Sequence, residues 1–260
     1  MKISCHCLIK NEENFIWFAI NSVIDYVDEL LVWDTGSTDK TIEIIKSIEN
    51  SKIKFREVGH ASPVRISELR QQMLEETNAD WLLILDGDEI WYQSSVQKLI
   101  AEVNINKEYN IAVVPMKVLI GDIFHYQEAK AGKYTIAGRV GHHTVRALNL
   151  RSNNLHVEGI YPNEAYVTDK GIKVQNLPSN KILFLEKQYL HASHLNRSSR
   201  DRKKIKYEIG EEFSKDFYYP EVLFKTRPPI IPSPWRSMTL GYRFKSELET
   251  PFKKVKRRIR

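Results

Sequence analysis

The chain has 260 residues and a formal net charge of +6, and 42% of its residues are apolar while 28% are charged. This composition argues against disorder and predicts one globular domain with an appendage. Residues 253–260 hold six basic residues and no acids, so the rest of the chain is formally neutral, which argues against nucleic acid binding by the body of the protein.

Membrane helices and a signal peptide are not expected. No segment reaches the roughly 18 to 20 uninterrupted apolar residues that a membrane helix needs. Residues 1–10 are too short and too polar for a signal peptide. We therefore expect a cytoplasmic protein.

The first 105 residues alternate predicted strands with predicted helices. The strands are expected over residues 3–9, 30–33, 53–58 and 81–85. The helices are expected over residues 14–27, 38–48, 65–77 and 95–103. This order predicts an α/β fold with a central, mostly parallel sheet that is flanked by helices and has right-handed crossovers.

The pattern changes after residue 105. Strand-like runs separated by glycines are expected over residues 110–119, 134–148 and 181–190, which makes residues 106–196 a β-rich region. Residues 197–215 are charged and predicted to be helical. Residues 225–234 contain four prolines, so we expect neither helix nor central strand there, and a surface extension from that point on.

Acidic residues follow the fourth predicted strand. The apolar run WLLIL ends directly before Asp86, Asp88 and Glu89. In open parallel sheets ligands bind beyond the carboxyl ends of the strands, and two carboxylates at this spacing suit a divalent cation that holds a diphosphate. A solvated acidic turn would have the same composition.

Polar residues also follow the first two predicted strands. Asn11 and Glu12 come after the first strand, and Asp34 begins the run DTGSTD after the second. A carboxylate at this edge can accept hydrogen bonds from a nucleobase N–H or a ribose hydroxyl. The alternative is purely structural, with Ser37 or Thr38 capping one helix and Asn11 capping another.

Together these segments resemble a known family. The runs LIKNEE, LLVWDTGSTDKT and WLLILDGDE are similar to the strand-end motifs of family 2 glycosyltransferases, although Trp33 stands where many members have a further Asp. The resemblance implies a GT-A fold, with residues 1–105 as the nucleotide-sugar-binding half and residues 106–196 as the acceptor-side, catalytic half. Residues 197–260 would form a helical, proline-rich and basic extension.

The resemblance also implies an activity and a donor site. The enzyme would move a sugar, with inversion, from a nucleoside-diphosphate sugar, UDP favoured, to a glycan, lipid-linked or protein acceptor. The metal would be Mn²⁺ or Mg²⁺, bound by Asp88. The implied donor-binding residues are Asn11, Glu12, Asp34, Arg70 and Asp86.

Two histidines and two glutamates complete the expected site. Relatives carry a metal-binding His after the strand-like run that ends near residue 190, and here His194 is the first candidate and His191 the second. The run TVRALNLRSNNLHVEGIYPNEAYV resembles the segment that holds the catalytic base, although Asn163 replaces the usual His. Glu164 is the expected general base, with Glu158 next.

Two other classes of protein remain as alternatives. A nucleotidyltransferase of related fold, or a nucleotide-sugar-binding protein without transfer, would share the sheet, but the glycine-rich turn of sugar nucleotidyltransferases is absent after the first strand. The basic residues 253–260 follow several aromatic residues. They are expected to be a solvated segment, a peripheral contact with the inner face of an anionic membrane or with a polyanionic acceptor, or a nucleic acid arm.

Overall fold

The computed structural model describes residues 1–152, 154–200 and 205–259. The elements predicted in the first 85 residues are all present. They are β1 (Ile3–Ile9), α1 (Ile16–Val23), β2 (Glu29–Asp34), α2 (Thr41–Lys46), β3 (Ile53–Glu57), α3 (Pro63–Glu76) and β4 (Trp81–Ile84).

The sheet built by these strands is parallel and has the order β3-β2-β1-β4. Strands β1, β2 and β4 are almost entirely buried, as expected of parallel strands covered on both faces. Ile9 pairs with Asp34, and Ile84 pairs with His6, so the carboxyl ends of the three strands lie at one edge. The loops that follow them therefore meet there.

The next part of the chain extends this sheet. It contains β5 (Glu89–Trp91), α4 (Gln93–Ile105), β6 (Ile111–Ile120), β7 (Asp122–Tyr126), β8 (Tyr134–Ile136), β9 (Arg139–Gly141) and β10 (His143–Asn149). Strand β10 lies between β4 and β6 and is antiparallel to both. The predicted run 134–148 is thus three strands, divided at Gly138, whose φ of 79° suits the turn, and at His142.

The remaining elements are short strands and one long helix. They are β11 (His156–Glu158), β12 (Ala165–Val167), β13 (Ile182–Phe184), β14 (Tyr189–His194), β15 (Glu211–Glu212) and α5 (Leu240–Arg258). The β11–β12 hairpin forms a separate sheet that packs against α3. Strand β14 pairs with both β5 and β6, and the pairing with β5 places His191 opposite Glu89, one of the acids that follow β4.

The prediction of a helix over residues 197–215 is wrong for the described residues of that stretch. Residues 197–200 contact the loop after β1, where Asn14 N donates to Arg197 O at 3.0 Å. Residues 211–212 form β15 instead, paired with β7. Contacts with other parts of the fold outweigh the local helical preference of this charged stretch.

The long helix of the extension lies later in the chain than expected. Helix α5 begins after Thr239, whose side chain accepts a hydrogen bond from Tyr242 N at 3.2 Å. Residues 225–234 form neither helix nor strand, as expected, whereas the chain beyond them forms the helix Leu240–Arg258. Within the described ranges, every helix is too short or too polar to cross a bilayer.

Candidate active site

The turn after β4 carries the acids that the sequence singles out. Asp88 and Glu89 are buried, whereas the Asp86 side chain is 35% exposed. A Cβ on Gly87 would lie 2.8 Å from Glu12 Cγ, so the close approach of the turn to the loop after β1 requires glycine. The turn is therefore packed against neighbouring structure and is not a loosely solvated loop.

Arg146 on β10 holds two of these acids. Its Nη2 donates to Asp86 Oδ2 at 2.8 Å and also contacts Glu89 Oε1, while its Nε donates to Tyr189 Oη at 3.2 Å. Burial opposes ionisation of Asp86, but Arg146 and Arg70 hold its pKa below the usual range. For Glu89 burial dominates and raises the pKa to about 7. Asp86 is thus ionised at neutral pH, and Glu89 can exchange a proton there.

His191 faces the same acids from β14. It pairs with Glu89 across the antiparallel β5–β14 ladder, and its Nε2 lies 3.3 Å from Asp88 Oδ1. Burial lowers the pKa of His191, but Asp88, Glu89 and Asp86 together outweigh this effect and leave the pKa raised. His194, the first candidate from the sequence, has its Nε2 3.4 Å from Lys206 Nζ. The structure brings His191 into the acidic cluster.

These side chains fit a divalent cation. Ligand atoms of Asp86, Glu89 and His191 all lie within 4.8 Å of one another, and Asp88 adjoins them through His191. Carboxylate oxygens with one imidazole nitrogen suit Mn²⁺, and the carboxylates alone suit Mg²⁺. Asp86 is also the most accessible acid of the turn, as the ligand of an incoming ion must be.

Asp34 lies at the end of β2, and its two carboxylate oxygens differ in their hydrogen bonding. Its Oδ1 accepts hydrogen bonds from Gly36 N at 2.9 Å and from Ser37 N at 2.8 Å. Its Oδ2 is buried and has no hydrogen-bond partner among the described residues. A buried acceptor without a donor is costly, so this oxygen is suited to a ligand N–H or hydroxyl.

Asn11 and Glu12 both brace the loops around Asp34. Asn11 adopts a φ of 55°, its N donates to Ser37 Oγ at 2.7 Å, and its Oδ1 accepts from Thr38 N at 2.8 Å. Glu12 N donates to Thr41 Oγ1 at 2.8 Å. Asn11 therefore caps the loop after β2 and not helix α1, for which no side-chain cap is formed.

Arg197 is not predicted as a site residue from the sequence, yet it connects the loop after β1 with the acids after β4. Its Nη1 lies 2.6 Å from Glu12 Oε1 and 3.4 Å from Asp88 Oδ2. Its position beyond β14 brings it to the acids only because β14 pairs with β5. No spacing pattern in the sequence marks this residue; the only local signal is its place shortly after the two histidines.

Glu158 and Glu164, the candidate bases, lie at the same end of the β11–β12 hairpin, since Glu158 ends β11 and pairs with Ala165, and Glu164 directly precedes β12. Glu164 Oε1 accepts from Arg70 Nε at 3.1 Å, and its Oε2 is buried without a partner among the described residues. Glu158 is exposed and pairs with His156 Nε2 at 2.8 Å. Glu164 therefore presents an unused acceptor inside the protein, and Glu158 does not.

Arg70 connects Glu164 with the acids after β4. Burial opposes its ionisation, but Tyr166, Asp86 and Glu164 together raise its pKa. A guanidinium that interacts with both Asp86 and Glu164 brings the hairpin and the strand end into one electrostatic unit. Of the sequence-predicted residues, the structure thus places Asp86, Asp88, His191, Arg70 and Glu164 around one region, with Glu12 joined through Arg197.

The chain is similar to proteins of a known family. The family model described as Glycosyl transferase family 2 matches residues 5–154. The glycosyltransferase SunS encoded by the SPbeta prophage of Bacillus subtilis is 24% identical over 142 residues, which are 54% of this chain and 33% of SunS. An uncharacterized glycosyltransferase of Rickettsia bellii is 37% identical over 90 residues, which are 34% of this chain and 28% of that protein. The aligned parts span about a third of these relatives' length.

Solved structures show a similar fold. S. aureus TarS 1–349 in complex with UDP-GlcNAc is 18% identical, has a TM-score of 0.53, and is aligned over 75% of this chain and 60% of that chain. A longer S. aureus TarS structure has a TM-score of 0.51 at 17% identity, over 76% of this chain and 38% of that one. These likenesses confirm the predicted α/β fold of GT-A type with a largely parallel central sheet.

Proposed function

Because the chain belongs to glycosyl transferase family 2, we propose that it transfers a sugar from a nucleoside-diphosphate sugar to a hydroxyl of a glycan, lipid-linked or protein acceptor. The observation that carries this proposal is the meeting of three strand ends at one sheet edge. One end offers the unpaired oxygen of Asp34, and another offers the cluster of Asp86, Glu89 and His191. A nucleoside can donate a hydrogen bond to the Asp34 oxygen, and a diphosphate can be held by a divalent ion at the acidic cluster.

The nucleoside lies beside Asp34 in this proposal. Its buried Oδ2 accepts a hydrogen bond from a base N–H or a ribose hydroxyl, while Asn11 holds the surrounding loop in place through Ser37 and Thr38. UDP is the favoured nucleotide, since the TarS structure of similar fold is a complex with UDP-GlcNAc.

The diphosphate lies beside the acids that follow β4. Asp86, Glu89 and His191 are the residues proposed to hold Mn²⁺ or Mg²⁺, together with Asp88, which adjoins them through His191. A divalent ion there stabilises the charge that grows on the departing nucleoside diphosphate. Arg146 orients Asp86 from the opposite side, through a hydrogen bond of 2.8 Å.

Glu164 is the proposed general base. The acceptor oxygen attacks the anomeric carbon as the bond from that carbon to the diphosphate oxygen breaks, and the acceptor proton passes to a carboxylate. Glu164 has an unpaired buried oxygen for this proton, and its other oxygen is held by Arg70 at 3.1 Å. A single displacement of this kind inverts the configuration at the anomeric carbon.

Replacing Asp34 by Ala is expected to weaken the binding of the free nucleoside diphosphate and of the nucleotide sugar by similar factors, about 10-fold or more. The change removes one charge-assisted hydrogen bond that is made equally by both ligands. Isothermal titration calorimetry measures both affinities. Asp34→Asn keeps an oxygen for Gly36 and Ser37 and separates this loss from disruption of the loop.

The exposed acid Asp25 serves as the matched control, because it pairs with Lys225 at 3.8 Å and its side chain is 65% exposed. Asp25→Ala should bind both ligands as the unaltered protein does. Unchanged affinity of Asp34→Ala for the nucleoside diphosphate would show that Asp34 does not contact the nucleoside.

Thermal unfolding with a panel of UDP-, GDP- and dTDP-sugars tests the proposed function. A ligand that binds only the native state raises the unfolding temperature by mass action. We expect a UDP-sugar to give the largest shift, and the shift to require Mn²⁺ or Mg²⁺. No shift with any of these nucleotide sugars, with or without a divalent ion, would refute the proposal.

A further inference from the structure

Helix α5 presents an apolar stripe to solvent. Six large apolar side chains of this segment are between 54% and 85% exposed. They are Leu240, Phe244, Leu248, Phe252, Val255 and Ile259. Their spacing of three or four residues places them within about a third of the helix circumference, since each residue turns the helix by ~100°. The stripe runs along the whole helix.

The opposite side of α5 is polar and faces the protein. Ser246 and Thr250 are buried, and Ile209 N donates to Thr250 Oγ1 at 2.7 Å. Arg257 pairs with Glu208 through two hydrogen bonds of 2.5 and 2.7 Å and with Glu128 at 2.9 Å. An ordinary surface helix buries its apolar face in the core; α5 is turned the other way.

Basic side chains border the stripe on both sides. Lys245 and Lys256 lie along one border, and Arg243 and Lys254 lie along the other together with the single acid Glu247, as the helical spacing requires. Beside the first border, a cleft is lined mainly by cations. These cations are Lys130, Lys133, Lys206, Lys253, Lys256 and Arg257. The apolar surface therefore lies within a strongly positive one.

We propose that α5 is an interfacial helix that docks the protein on an anionic lipid bilayer, with the apolar stripe among the acyl chains and the bordering cations among the headgroups. A helix with one apolar face and a basic polar face lies in the plane of a membrane in this way. A second copy of the chain is a poorer occupant, because pairing two stripes brings like-charged borders together. The surface is separate from the proposed donor site.

This proposal narrows the role expected for residues 253–260. The sequence pairs these basic residues with the preceding aromatic residues for a membrane contact, whereas the structure assigns part of the basic residues to the fold. Arg257 is held by Glu208 and Glu128, and Lys253 by Glu249 at 2.7 Å. The contact with acyl chains falls instead to apolar residues such as Phe244 and Phe252, both exposed.

Flotation of the full chain with vesicles tests the proposal. Vesicles of phosphatidylcholine alone are compared with vesicles that also contain phosphatidylglycerol, at low and at high salt. We expect at least ~10-fold tighter binding to the anionic vesicles at low salt, weakened by salt, since each basic residue near such a surface contributes about 5-fold.

Two variants separate the contribution of the apolar side chains to vesicle binding from that of the basic side chains. The double change Phe244→Ser with Phe252→Ser should weaken binding to anionic vesicles by at least ~10-fold, because it removes two apolar anchors. Ile105→Ser is the control, as Ile105 is exposed at the end of α4 and lies outside the stripe. It should bind as the unaltered protein does, and both proteins should unfold at unchanged temperatures.

Three results would overturn the proposal. The first is equal binding to neutral and anionic vesicles at low salt. The second is unaltered vesicle binding by the double variant. The third is a dimer by light scattering in the absence of lipid that the double variant converts to a monomer, which would assign the stripe to a second copy. Donor binding is measured separately by thermal shift, so failure here leaves the proposed transfer reaction intact.

Discussion

Replacing Asp88 by Ala should lower the rate of sugar transfer by at least ~10²-fold, a loss of about 3 kcal/mol or more of transition-state stabilisation. Asp88 is buried beside His191, with 3.3 Å between Oδ1 and Nε2, at the edge where the proposed metal is held. Removing its carboxylate takes away an oxygen ligand of the proposed metal. It also removes an acidic neighbour of His191 and Arg197. Initial rates at saturating donor, over a range of Mn²⁺ concentrations, measure the effect.

Asp122→Ala is the matched control for this change. Asp122 is also a buried Asp beside a histidine, His125, and it accepts hydrogen bonds from Phe124 N and Met238 N, but it lies at the start of β7, outside the cluster of Asp86, Glu89 and His191. Its loss should destabilise the fold without changing the dependence of the rate on Mn²⁺. Full activity of Asp88→Ala, or of the unaltered protein in excess EDTA, would contradict the assignment.

Replacing Glu164 by Gln should lower turnover by roughly 10² to 10⁴-fold while leaving donor affinity nearly unchanged. Glutamine has the same shape and can still accept the hydrogen bond from Arg70, so the hairpin should keep its position. It cannot take the acceptor proton. Single-turnover rates give the chemical step, and calorimetry with the nucleotide sugar gives the affinity.

Glu158→Gln makes the same chemical change on the same hairpin. Glu158 is exposed and pairs only with His156 in the hydrogen bonds of the described residues, so this variant should turn over normally. A loss in Glu158→Gln together with normal turnover in Glu164→Gln would assign the base to Glu158. Normal turnover in both variants would exclude this hairpin as the source of the base.

The parallel half of the fold could be predicted because its signals are local. The apolar runs of β1, β2 and β4 are nearly continuous, as in strands that are buried on both faces. Each run ends directly before polar residues, and parallel pairing brings such ends to one edge. Asp34 and Asp86 could therefore be assigned to a common edge from the sequence.

The other side of the site depends on pairings between distant segments, which no local pattern reveals. The short strand β5 pairs with β14, and this pairing places His191 opposite Glu89 and beside Asp88. Arg197 reaches Glu12 for the same reason. Two histidines three residues apart on an irregular strand cannot be told apart by spacing alone.

The C-terminal region was the least predictable part. Residues 197–215 are as charged as many surface helices, yet their described part is held by side-chain and backbone contacts to other elements. Helix α5 contains Pro251 and follows a proline-rich segment. Because proline disfavours helix, local sequence preferences do not predict a helix here. Its polar contacts with residues such as Glu208 make the helix part of the fold.

The most direct test of the account is the release of nucleoside diphosphate from UDP-sugars by the unaltered protein, with and without Mn²⁺. We predict release of UDP that depends on the divalent ion, is accelerated by a suitable acceptor, and is lost in Asp88→Ala. A nucleotidyltransferase would instead release pyrophosphate from a nucleoside triphosphate and a sugar phosphate. Pyrophosphate release without any turnover of a nucleotide sugar would contradict the proposed function.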